Sequence, residues 1–405
     1  MSSSTPPAEV SKSVQEAEGF LASLTRTASQ HEETRKELLA MYRAQVAALE
    51  SPLEVIWRMM MEPHQSAALR AAMGMGLVDP IASSESPKTA SELASITGAD
   101  KQLIVRILRP LTTMGIFAEV GYETYAATPT TKILTVPSVG GGFKFMFDQA
   151  ATSVIHIPHF LAQTSFANPA GPKTAFQSAF TTDLQLFPWL MQHPSPMSNF
   201  NDLMTGQRMT RIEWFDFADV HSILFNKHTP NDTDSALLVD IGGGRGHDLE
   251  AFRKRFPRHV RGEGKLVVQD LPPVIADIGH GDLHGDIVRQ EYDFFTPQPV
   301  VGARAYYLRS ILHDYSDAKC REILQHVVKA MKPGYSKLLV FEWILPDTGS
   351  PLYPALLDIN MMALFSGMER TEIQWRELLG SAGLEIVKFW TIGKETEGLI
   401  EAVRK

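Results

Sequence analysis

Two kinds of periodicity divide the chain. Up to residue 235 helical spacing dominates. From residue 236 onward, short apolar runs alternate with segments of helical spacing. The runs 237–240, 265–269, 304–308 and 337–341 are rich in Leu, Val and Tyr and nearly uninterrupted, as strands buried on both faces are. Helices are predicted over 247–256, 271–278, 318–331 and 352–365, and from a capping box at Thr371 to Gly383. In 318–331, Cys320, Ile323, Leu324, Val327, Val328 and Met331 share one face. Two further strands are predicted at 385–391 and 399–403. Strands alternating with helices predict a doubly wound, Rossmann-like α/β domain over 231–405.

The N-terminal half reads differently. Residues 1–12 read as disordered, and 14–49 as two helices that form either a dimerisation arm or a hairpin packed on itself. Helices are predicted at 53–61 and 64–75, after a capping box at Thr89, and over 100–114, where Pro110 should kink or shorten the last one. A hairpin over 116–127 completes a winged-helix pattern within 51–135. Residues 136–230 are mainly helical and dense in Phe and Met. These make either ordinary core or an apolar cavity for a flat organic substrate. A polar linker is expected at 230–235.

Composition narrows the function classes. A winged helix can read DNA, but 100–114 offers only Lys101, Arg106 and Arg109 beside Asp100, in a chain of 405 residues with net charge -8. Nucleic acid is therefore not the expected partner. The one cysteine, Cys320, permits no internal disulfide. No secretory signal and no apolar run of membrane-spanning length are read, so a soluble cytoplasmic protein is expected.

The candidate chemistry begins at the first strand of the α/β domain, where VDIGGGRG spans 239–246. The glycines let backbone approach a ligand. A P-loop would need Lys-Ser/Thr next, and a dinucleotide fingerprint would need different glycine spacing. The turn opens on Asp240, and Asp270 ends the next strand. Two carboxylates suit the cation S-adenosylmethionine (SAM) better than a pyrophosphate, with Asp270 on the ribose hydroxyls. Asp270 also reads as a helix cap before Leu271-Pro272. Acid and aromatic at Asp293 and Phe294 suit an adenine, or a solvated turn. His313 lies in a loop on the ligand side of the sheet, where it is either structural or a general base. Glu342 and Glu369 should emerge over the same edge, and a His between two acids is oriented and made more basic.

The segments VDIGGGRG, VVQDLP, YDFF, LRSILHDYSD, FEWILP and GMERT, in that order, resemble the SAM-dependent plant- and fungal-type O-methyltransferases of small molecules. Residues 53–135 resemble that family's dimerisation domain. The resemblance implies a homodimer with a helical arm over 1–50, a substrate segment over 136–230 and no metal. It implies SAM at Asp240, Gly242, Gly244, Asp270, Leu271, Asp293, Phe294 and Arg309. It implies catalysis by His313 with Glu342 and Glu369, and substrate at Phe200, Met204, Asp314 and Met362. Two positions depart from the family pattern: Arg309 replaces the usual Lys, and Tyr292-Asp293 replaces Gly-Asp. Some similar fungal proteins are pericyclases, with Arg at the position of His313 and His at that of Phe145. This chain keeps the methyltransferase residues.

Overall fold

A computed structural model describes residues 8–28, 30–209, 211–225, 235–257, 264–279, 283–394 and 396–405. The chain forms two compact units, one built from residues up to 80 with 86–126, the other from 81–85 with 127–405.

In the first unit, α1 (Ala8–Ala28) pairs with α2 (Glu32–Leu49), tied by a 3.2 Å hydrogen bond between Thr25 and the Tyr42 hydroxyl. The helix start at Ala8 corrects the expected disorder of 1–12, of which 1–7 lie outside the described residues. The two helices expected at 53–61 and 64–75 are one, α3 (Pro52–Gly74), which runs through Pro63. A capping box between Ser51 and Glu54 starts it, and packing of its second half on α5 carries it past the lost backbone donor. The Thr89 box starts α4 (Ala90–Thr97), and Asp100 caps α5 (Lys101–Thr113). Pro110 does not cut α5 short, because Ile104, Leu108 and Leu111 bury one continuous face. A small sheet in the order β1 (Lys88–Thr89), β3 (Thr124–Ala127), β2 (Phe117–Gly121) completes the wing.

The second unit opens with helices, among them α6 (Pro137–Phe145) and α7 (Pro194–Arg208). Glycines let these two touch. A Cβ on Gly141 would stand 2.1 Å from the Asp202 carboxylate, and one on Gly206 2.7 Å from the Ser138 carbonyl. The expected linker at 230–235 lies outside the described residues, except Ser235. Seven strands follow: β4 (Ala236–Ile241), β5 (Lys265–Asp270), β6 (Ile287–Glu291), β7 (Ala305–Arg309), β8 (Lys337–Glu342), β11 (Leu384–Trp390) and β12 (Gly398–Arg404). Their order is β11-β12-β8-β7-β4-β5-β6, and only β12 runs against the rest. Between β8 and β11, β9 (Ile344–Leu345) and β10 (Arg370–Thr371) form a two-residue parallel ladder.

Alternate residues of the central strands bury on opposite faces. Val239, Leu308 and Val340 meet α9 (Asp317–Ala330) and α11 (Glu372–Ser381). Leu238, Tyr307 and Phe341 meet α8 (His247–Arg255) and Trp214. Two-sided burial explains the unbroken apolar runs. The order of strand addition reverses between the parallel strands β4 and β7, which opens a crevice at their carboxyl ends. α10 (Leu352–Phe365) belongs to the same unit. Among the described residues no helix is long and apolar enough to cross a membrane.

Candidate active site

The loop after β4 is shaped by its glycines. Gly242, Gly244 and Gly246 have φ of 72°, 57° and 74°, a region that side chains rarely adopt. A Cβ on Gly242 would also stand 2.5 Å from Ile311 Cδ1. The loop is anchored by the N–H groups of Gly242 and Gly243, which donate to the Gln269 carbonyl at 2.8 and 3.1 Å.

Three acids surround this loop. Asp240 is 2% exposed, and its Oδ2 is buried with no partner among the described residues. Burial, then the neighbouring Asp248 and Asp270, push its carboxyl well above the usual range. Asp270 accepts from Gly244 N–H at 2.8 Å and Leu271 N–H at 2.7 Å, and burial raises it. The helix after it begins at Pro272, with Leu271 at its cap position, so Asp270 is not the cap. Asp248, on α8, accepts from Arg208, from Arg211 at 2.9 Å and from the Tyr307 hydroxyl at 2.8 Å. Burial alone would raise it, but Arg211 and Arg208 hold it below the usual range. It joins the end of α7 to the glycine loop's helix, a role no sequence motif marks.

Phe294 reaches the same loop, 3.7 Å from the position of a Gly242 Cβ, and packs edge-on to Phe295 and Tyr315. Asp293 accepts from Phe295 N–H at 3.0 Å. The Arg309 guanidinium lies 4.0 Å from Asp248 and 3.8 Å from Glu397.

His313 sits on a single 3₁₀ turn, Leu312–Asp314, after β7. The backbone of this turn is held from several sides. Glu342 Oε1, at the end of β8, accepts from Ile311 N–H at 3.1 Å and Leu312 N–H at 2.7 Å. Arg370, fully buried, donates to the carbonyls of Leu312 and Tyr315 and to Asp317. The Met368 N–H donates to the His313 carbonyl at 2.9 Å. Gly367 lies so close that a Cβ there would fall 1.9 Å from that carbonyl.

The imidazole is oriented by Glu369. Its Nδ1 lies 2.7 Å from Glu369 Oε1 and its Nε2 3.5 Å from Asp314 Oδ1. The β9–β10 ladder brings Glu369 there, beside Arg370, and Asp358 of α10 accepts its N–H at 2.8 Å. Glu342 makes no hydrogen bond to the imidazole. It acts on His313 through charge and through the turn's backbone. Burial alone would lower His313, but Asp314, Glu369 and Glu342 outweigh it and lift the imidazole to about 10. Burial raises Glu342 to about 7 and Asp314 to about 6.

An aromatic wall stands in the helical part. Phe145 and Phe187 meet Phe200 of α7 edge-on at 5.2 and 5.6 Å, and Phe187 meets Phe365 of α10 at 5.4 Å. Met204 follows Phe200 by one helical turn and is 37% exposed, and Met362 is half-buried on α10. No hydrogen bond or ring contact among the described residues joins Phe200 or Met204 to His313. Among the described residues no group of His, Cys, Asp and Glu is arranged to hold a metal ion.

The donor set fits a cationic nucleoside. A buried carboxylate with a free oxygen, a Cβ-free cradle and a second carboxylate one strand over suit SAM, which carries a sulfonium and an ammonium.

Comparison with known proteins agrees. Residues 226–385 match the O-methyltransferase domain, and residues 57–137 match the O-methyltransferase dimerisation domain. The O-methyltransferase asqD of Emericella nidulans is 38% identical over 346 residues, 85% of this chain and 87% of its own. Among solved structures, a pericyclic reaction enzyme superposes with a TM-score of 0.87 at 29% identity, over 97% of this chain and 100% of its own. The structure of LepI in complex with SAM gives 0.86 at 29% identity, over 98% and 100%. The chain belongs to the SAM-dependent O-methyltransferase family.

Proposed function

We propose that the protein methylates a phenol- or enol-type hydroxyl of a flat, hydrophobic secondary metabolite, with His313 as general base. The observation that carries this is the hydrogen bond between His313 Nδ1 and Glu369. The carboxylate keeps one proton on Nδ1, so Nε2 is the nitrogen that takes a proton from the acceptor once the imidazolium has lost its second one. A phenol has a pKa of about 10, and the carboxylates lift His313 to about 10 as well. The proton is then shared almost evenly, and the imidazolium stabilises the phenolate it has made. Glu369 fixes the ring, and Glu342 and Arg370 fix the turn that carries it.

SAM supplies an electrophilic methyl group on a sulfonium. Asp240, Gly242, Gly244 and Asp270 would hold it, with Asp293, Phe294 and Leu271 at the adenosine and Arg309 beside Asp248. Phe200, Met204 and Met362 would line the acceptor, with Asp314 at the reacting hydroxyl. Residues 136–230 form the acceptor segment and 231–405 the donor and catalytic domain. Residues 1–50 and 51–135 make a homodimer. The matched dimerisation domain supports this, as do the exposed apolar side chains of Leu53, Ile56, Trp57 and Met60 on α3.

The test is mass analysis after incubation with labelled SAM and candidate polyketide or pyridone acceptors. A methyl gain is expected. His313→Ala should lower turnover by roughly 10²–10⁴ while SAM still binds; near-full transfer in that variant would refute the base. The likeness to a pericyclic reaction enzyme favours a second reading, rearrangement without methyl transfer. A pericyclic step needs no base, so the oriented His313 supports methyl transfer instead. An isomer of unchanged mass would reverse that order.

A further inference from the structure

Besides Asp248, the site holds a second acid that no motif marks. Glu397 precedes β12. Because β12 runs against the other strands, its beginning lies at the edge where they end. Gly398 pairs with Glu342 in the β12–β8 register. A Cβ on Gly398 would stand 2.7 Å from Ile344 Cδ1 and 3.1 Å from the Trp390 carbonyl. The glycine lets β12 start tight against its neighbours, and Glu397 is set over the reaction edge.

The surroundings of this carboxylate are unbalanced. Its one ion-pair neighbour among the described residues is Arg309, at 3.8 Å, too long for a hydrogen bond. No hydrogen bond to it is found among the described residues. It carries interacting charge with Arg211, His313, Asp248 and Glu369, and after burial it is the next cause that raises the Tyr353 hydroxyl on α10. Burial pushes it to about 7. Two more acceptors nearby, Glu342 Oε2 and Glu369 Oε2, are buried and also lack partners. The acceptor edge thus has more oxygen lone pairs than protein donors. Buried acceptors left unmatched are costly, so a ligand that brings donors is favoured over one that does not.

We propose that Glu397 is a specificity residue of the acceptor site: its carboxylate takes a hydrogen bond from a second O–H or N–H carried close to the hydroxyl that is methylated. The preferred acceptors are then catechol-like or hydroxy-amide molecules rather than isolated phenols. This rests on the methyl-transfer reading for the site's purpose, but its test does not depend on turnover.

The probes are 2,3-dihydroxynaphthalene and 3-methoxy-2-naphthol, flat molecules that differ by one donor. Their affinities are measured by calorimetry on the protein saturated with S-adenosylhomocysteine, for the wild type, Glu397→Gln and Glu397→Ala. The wild type should prefer the diol by about ten- to a hundredfold, the range for a hydrogen bond to a charged group. Glu397→Gln, whose amide oxygen still accepts, should keep an intermediate preference. Glu397→Ala should bind both probes equally, with an unchanged thermal midpoint and unchanged S-adenosylhomocysteine affinity. A wild type that binds the probes equally, or binds neither, overturns the proposal. So does an undiminished preference in Glu397→Ala. A tenfold loss of S-adenosylhomocysteine affinity in the variants also overturns it, because the carboxylate then serves the methyl donor. Diol-selective binding with no methyl gain in the mass assay would sink the methyl-transfer reading and leave Glu397's role standing.

Discussion

His313 is a moderately basic group made strongly basic by its neighbours. In the ligand-free protein Asp314, Glu369 and Glu342 hold its proton to about 10. The rise of kcat/KM with pH, which follows loss of that proton, should therefore lie on the alkaline side. Glu369→Gln removes one stabilising anion, so the imidazolium gives up its proton sooner and the rise should move to lower pH. An unmoved profile would show that Glu369 does not set the base. Some of this site could be read from the sequence because its acids end parallel strands: Asp240, Asp270 and Glu342 follow apolar runs whose ends share one edge. Glu397 escaped because it precedes an antiparallel strand, so the same rule points away from it. Asp248 escaped because its partners Arg208, Arg211 and Tyr307 come from three separate segments, a convergence that no spacing encodes.

At the scale of elements, periodicity located the buried strands well. It missed β6, an edge strand whose Arg289, Gln290 and Glu291 dilute the apolar signal, and the two-residue β1, β9 and β10. The expected break between residues 61 and 64 and the shortening at Pro110 are both absent, for one reason. Packing of a continuous apolar face outweighs the roughly 3 kcal/mol that an interior proline costs. The joint between α7 and α8 rests on Asp248, which is buried with two arginines. Asp248→Ala should lower stability by about 3–5 kcal/mol, since it leaves Arg208 and Arg211 with Glu213 alone to balance two cations and strips the buried Tyr307 hydroxyl of its acceptor. Denaturant titration checks this, and a loss below 1 kcal/mol would mean that solvent already screens the pair.

For the whole molecule, most strongly perturbed carboxyls shift in one direction. Asp240, Asp314, Glu342 and Glu397 are raised, the last three to about 6, 7 and 7. A raised acid stabilises the fold below its ordinary pKa, and that contribution is lost as pH climbs through the folded value. His313 has the same sign between its ordinary 6.5 and about 10. Asp248 is lowered, so its contribution is complete above the usual carboxylate range and constant thereafter. The thermal midpoint of the ligand-free protein should fall steadily from mildly acidic to alkaline pH; a rise would contradict these shifts. Trp57→Glu, on the exposed face of α3, should yield monomers in sedimentation if that face joins two copies. The two-rung ladder of β9 and β10 has a consequence of its own. It is among the smallest hydrogen-bonded units of the fold, yet it positions the Glu369 carboxylate that orients the His313 imidazole. Small ladders open locally long before a sheet melts. On warming, turnover should fade while the seven-stranded sheet is still intact, and the amides bonded across the β9–β10 ladder should exchange with solvent ahead of those in β7 and β8.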